Sequence, residues 1–128
     1  MGATNDWFLT FKAAGAVGAR RVTKFTANRG EVALATAVTD KLAGVCDLGA
    51  AAAGDMIDAA MGGRHEVVAG GVVAAGDKLT TDANGAAVVA APVLGSVVHV
   101  FGVALAPAVA GDVFPYLVAP SVIAPGGA

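Results

Sequence analysis

KLTTDANGAAVVAA, residues 78–91, decides how this chain is to be read. Asn84-Gly85 separates two runs of strand chemistry, and the dipeptide suits the positive φ angles of a type I′ turn, so the segment predicts a β-hairpin. The hairpin begins directly after an Ala-Gly-Asp at residues 75–77, and the same tripeptide recurs at residues 53–55 and 110–112. Each copy ends a run of alanine and valine and is followed by an apolar or alternating segment. Three carboxylates could in principle converge on a divalent cation. An Asp directly after a Gly, however, commonly bonds nearby backbone, so Gly54, Asp55, Gly76, Asp77, Asn84, Gly85, Gly111 and Asp112 are read as structural turns. DANG resembles the start of a calcium loop, but its glycine comes early and no terminal Glu follows.

Strand chemistry extends outward from this hairpin. VVHVFGVALA, residues 97–106, sets Val97, His99, Phe101, Val103 and Leu105 on one face and Val98, Val100, Gly102 and Ala104 on the other, so both faces are expected to be buried. DVFPYLVAP follows as a strand that Pro115 demotes to an edge or bulged position. Upstream, RRVTKFTA ends in an Asn28-Arg29-Gly30 turn, and EVALATAV resumes with Val32, Leu34 and Val38 on one face. WFLTFK, residues 7–12, alternates Trp7, Leu9 and Phe11 against Phe8, Thr10 and Lys12, which fits a strand or an extended arm. AAAAGDMIDAAM could open as a helix, but Gly54 limits it to about one turn. GVCDLGAAAAGDMIDAAM at residues 44–61 also aligns with GVALAPAVAGDVFPYLV at residues 102–118, which indicates an internally repeated β architecture. The expected fold is mainly β, a small barrel or sandwich. It divides into an N-terminal extended arm and linker over residues 1–19, a β domain over 20–119 and a C-terminal tail over 120–128.

Composition narrows the function classes. The chain has 128 residues, of which 14% are charged and 56% hydrophobic, with a mean hydropathy of +0.71. Globular chains carry about 25% charged residues, so part of this surface is expected to lie against a membrane or another protein. No Asp, Glu, Lys or Arg stands between Asp82 and Asp112. Turn residues interrupt that window at short intervals, which argues against a transmembrane helix. The N-terminus lacks the basic and continuous apolar regions of a signal peptide, and Asp6 stands where a myristoylation signal needs Ser or Thr. A net charge of −2 gives no electrostatic footprint for nucleic acid.

No catalytic or metal constellation emerges from the residue pattern. Cys46 stands alone and reads as a small hydrophobe. His99 reads as a core or interface residue, and His65 sits in GGRHEV, expected to be a polar loop. Neither histidine has a serine in a nucleophile-elbow context. Gly15 to Gly18 forms a GxxG followed by Arg20, Arg21 and Lys24, too weak a signal for RNA binding without flanking helices; the basic residues read instead as a strand edge or a protein contact. Of seven aromatics, three (Trp7, Phe8 and Phe11) crowd the N-terminus. They serve either as a core plug or as anchors on a partner.

RRVTKFTA, LAGV, AAAAGD, AGGVVAAGDKLTTDANGAAVVAA and VFGVALAPAVAGDVFPYLVAP, in this order and spacing, resemble the phage head decoration or capsid cement proteins over about residues 7–119. The AAGDKLTTDANG element also resembles the turn-and-strand unit of β-clip folds, as in the lambdoid decoration proteins. The resemblance implies a non-enzymatic virion protein without cofactor or metal, seated on the outer surface of an expanded head as a homotrimer or, less often, a dimer. Its implied partner is the major capsid protein, bridged against the pressure of packaged DNA. On the same analogy Trp7, Phe8 and Phe11 map to an arm that meets the capsid or a neighbouring protomer; with Leu9, Arg20 and Arg21 they make up the expected capsid or protomer interface. A rival reading is a small β-module binding a glycan as a tail or fibre accessory.

Overall fold

In the computed structural model, which describes residues 7–126, the chain is all β, with no helix among the described residues. The strands are β1 (Trp7–Ala13), β2 (Val22–Phe25), β3 (Glu31–Leu34), β4 (Leu42–Val45), β5 (Met56–Gly62), β6 (Arg64–Val68), β7 (Lys78–Thr81), β8 (Ala87–Val89), β9 (Val98–Ala104) and β10 (Val113–Ile123). They form two five-stranded sheets, ordered β4-β2-β3-β1-β5 and β6-β10-β9-β7-β8. The chain crosses from one sheet to the other at Gly63, whose φ is +86°.

The two sheets are the two halves of the sequence, and they share one topology. β1 pairs antiparallel with β5 as β6 does with β10, and β2 pairs with β3 and β4 as β7 does with β8 and β9. The parallel β1–β3 pairing of the first half reappears in the second as a single parallel bridge, Ala69–Ala87. The β9–β10 ladder is matched in the first half by one antiparallel bridge, Cys46–Ala59. Each sheet therefore curls toward a five-stranded barrel, held at one seam by a single bridge. The repeat visible between residues 44–61 and 102–118 is the β4–β5 and β9–β10 part of this duplication.

Burial follows strand alternation and the contact between halves. One core lies inside the first half, around Ala13, Val17, Val32, Cys46 and Ile57. The larger core joins Val22, Ala35 and Val45 of the first half to Val67, Leu79, Phe101, Phe114 and Tyr116 of the second. β9 is buried or half-buried along its whole length, on both faces.

Several local expectations are corrected. The 78–91 hairpin forms, but Thr81 pairs with Ala87 and only Gly85 of the Asn84-Gly85 pair has positive φ, at +72°. Asp82 N–H bonds Ala86 O at 2.9 Å, and the Asp82 carboxylate accepts the N–H groups of Asn84 and Ala86. A three-residue loop with glycine in the left-handed position replaces the two-residue type I′ turn. Of the two readings of residues 7–12, the strand is adopted: β1 is an interior strand between β3 and β5. The first six residues of the expected arm and the last two of the expected tail lie outside the described residues. Pro120 to Ile123 continue β10, where Ser121–Ile123 pair with Val98–Val100.

β10 is an interior strand, not an edge. Pro115 is tolerated because its nitrogen faces the β9 side opposite Leu105, just beyond the end of β9, where its carbonyl accepts the Leu105 N–H at 3.0 Å. The register shift in β10 falls between Val118 and Ser121, around Pro120. β3 stops at Leu34, so Val38 lies past it in a turn where Asp40 accepts the N–H groups of Thr36 and Ala37. GGRHEV is not a loop: Arg64–Val68 is strand β6.

Candidate functional site: a cleft beside a modified turn

The three Ala-Gly-Asp turns share one construction. Gly54, Gly76 and Gly111 have φ near +90°, as the third residue of a type II turn requires. In each, the Asp N–H closes the turn onto the first residue, and the Asp carboxylate accepts that residue's own N–H: Ala52 to Asp55 at 3.0 Å, Ala74 to Asp77 at 2.9 Å, Val109 to Asp112 at 3.1 Å. Each glycine N–H and each aspartate C=O then bonds an adjacent segment, at Ala13, Ala104 and Ala69 respectively. The carboxylates are thus spent on their own turns and do not gather.

The duplication calls for a fourth turn, between β1 and β2, and it is present without its sequence signature. Val17 pairs with Ala50 as Val73 pairs with Ala108. Ala19-Arg20-Arg21 occupies the place of Ala-Gly-Asp. Arg20 N–H bonds Asp47 O at 3.1 Å and Arg21 C=O accepts the Cys46 N–H at 3.0 Å, reproducing the outward bonds of the other three turns. Arg20 is the non-glycine residue at positive φ (+56°) among the described residues, a conformation a side chain disfavours. The Arg20 carbonyl also accepts the Val68 N–H at 3.0 Å, tying this turn to the second half.

Beside it opens a cleft of about 280 Å³ lined by Phe8, Arg20, Val45, Cys46, Asp47, Arg64, His65 and Glu66. β1 brings Phe8, the end of β4 brings Val45 and Cys46, and β6 brings the Arg64-His65-Glu66 triplet. The His65 ring is fixed by a 2.6 Å bond from Nε2 to the Gly62 carbonyl, which requires the proton on Nε2, and Phe8 meets it edge-on with ring centroids 4.7 Å apart. Arg20 Nε lies 3.9 Å from Glu66 Oε1, a loose pair with both side chains well exposed. Arg21 Nη1 bonds Asn84 O at 3.3 Å, on the hairpin loop of the second half. The Cys46 thiol donates to Gly18 O at 3.1 Å, and burial pushes its pKa up, which favours the neutral thiol over the thiolate.

Among the sequence-predicted interface residues, the structure brings Phe8 and Arg20 into this cleft and sets Arg21 next to it. Trp7 and Leu9 are about half exposed, and Phe11 packs on the first-half core with its ring edge-on to Phe25. Asp47, Arg64, His65 and Glu66 were not singled out as interface residues. Their signal was Arg-His-Glu on one short polar run, but only the β5–β6 crossing at Gly63 turns that run toward the Arg20 turn. Away from the cleft the surface is sparsely charged: Asp112 is the single Asp, Glu, Lys or Arg from residue 83 to the end of the sequence. Leu48, Val72 and Leu94 are more than two-thirds exposed.

No protein-family model matches the chain, and comparison with curated proteins gives no match. Among solved structures, the fold is similar to that of the head fiber gp8.5 N base in bacteriophage phi29, with a TM-score of 0.63 and 24% identity over 89% of this chain and 94% of that one.

Proposed function

We propose that the protein is a structural component of a phage virion, a head decoration or cement protein that binds the outer surface of the expanded capsid. It acts as an oligomer, a trimer in preference to a dimer, and bridges subunits of the major capsid protein. The observation that carries this reading is the fold shared nearly end to end with the base of a phage head fiber. The sparse charge supports it, because apolar surface left open on a monomer is covered when copies seat together on a shell. Avidity supports it too, since contacts that are weak singly hold firmly when several are linked. The reading gives the protein no catalytic role.

The test is to mix purified protein with expanded heads lacking decoration and image them by electron cryomicroscopy. Added density at symmetry-related outer sites is expected. Heads unchanged at saturating protein would overturn the reading.

A further inference from the structure

The four equivalent turns supply an internal control. Three carry Gly at the left-handed position and Asp as the cap, and the fourth replaces both with arginine, reversing the turn's charge from −1 to +2 and accepting a disfavoured φ at Arg20. A disfavoured conformation retained beside a cleft points toward function. Three of the chain's eight Lys and Arg residues, Arg20, Arg21 and Arg64, gather on or next to this cleft.

We propose that the cleft is a recognition pocket for the carboxylate of an acidic side chain on a partner protein, with Arg20 as the reading group. This rests on the capsid-binding reading and names the chemistry of the contact. Arg20 is held to Glu66 only through Nε at 3.9 Å, so among the described residues its outer nitrogens are open to a planar carboxylate, the geometry a guanidinium fork matches. Asp47 and Glu66 on the same walls disfavour a dianion, which selects a single carboxylate over a phosphate. Phe8, which is exposed, offers apolar wall for the methylenes of a glutamate or aspartate. At about 280 Å³ the space lies below the usual range for ligand pockets and suits one side chain.

The decisive variant is the double change Arg20→Gly with Arg21→Asp, which rewrites the fourth turn in the molecule's own Ala-Gly-Asp sequence. It is expected to fold with an unchanged or raised Tm and to bind decoration-free heads at least about tenfold more weakly. In parallel, N-acetyl-glutamate N-methylamide is titrated into the parent and the double variant and followed by the backbone amide signal of Glu66, a cleft residue present in both, in NMR, with the glutamine analogue as control. A saturable shift with the glutamate probe alone, lost in the double variant, is expected. A double variant that binds heads like the parent overturns the proposal, as does a glutamine probe or methyl glucoside that shifts the signal equally. A parent that takes the glutamate probe but ignores heads overturns the capsid reading and leaves the carboxylate assignment standing.

Discussion

Thr23 and Thr80 are both buried strand residues, yet only one has its hydroxyl satisfied. Thr23 donates to Gly44 O at 2.6 Å, whereas Thr80 Oγ1 and the Tyr116 hydroxyl have no partner among the described residues. A buried hydroxyl without a hydrogen bond costs about 1–3 kcal/mol. Thr80→Val and Tyr116→Phe keep the shape and delete the orphan, so each is expected to raise unfolding free energy by about 1 kcal/mol in urea melts. A loss of similar size in either variant would contradict the assignment. Neither residue was legible as orphaned from sequence, because KLTT reads the same whether or not an acceptor stands opposite it. Arg20 was legible as a basic residue at a strand edge or protein contact, one of the expected interface residues. That it holds a glycine's place emerges when Val17–Ala50 is superposed on Val73–Ala108.

The turn is the element that builds this molecule, and its parts were largely readable. Gly-Asp after an alanine run specifies the left-handed third position and a carboxylate positioned to return to the backbone. Asp77→Ala removes the acceptor for the Ala74 N–H and is expected to cost about 1 kcal/mol. Asp77→Asn keeps an acceptor oxygen and is expected to lose less, again by urea denaturation. Equal losses would show that the hydrogen bond is not what the aspartate contributes. Elements whose fate depends on a neighbour were misjudged. Pro115 signalled an edge or a bulge, but its missing N–H falls where β9 has already ended, and the register shift of β10 lies farther on, between Val118 and Ser121. Asn84-Gly85 signalled a two-residue turn, but Asp82 draws in two backbone N–H groups and lengthens the loop. Gly85 there is required twice over, by its φ and because a side chain would run into Leu34 and the Val22 carbonyl.

At the scale of the whole molecule, the first-half core encloses Cys46 and the core joining the halves encloses Tyr116, and burial raises the pKa of both. Raised folded values mean that the folded state holds these protons after the unfolded chain has released them. Their contribution to stability is complete below the unfolded thiol value of about 8.5 and is lost as pH rises beyond it, with the phenol following above about 10. Stability measured by urea is therefore expected to fall from about pH 8.5 upward, and Tyr116→Phe should flatten the upper part of the decline. A flat profile to pH 11 would contradict this account. Alternation, turn residues and sparse charge determined an all-β chain, its punctuation and half of its duplication, because these are local properties that period and backbone preference express directly. The pairing of β1 inside the first sheet, the fourth turn and the cleft were decided only by tertiary structure. They depend on which segments the crossing at Gly63 brings face to face, and no spacing along the chain encodes that distance.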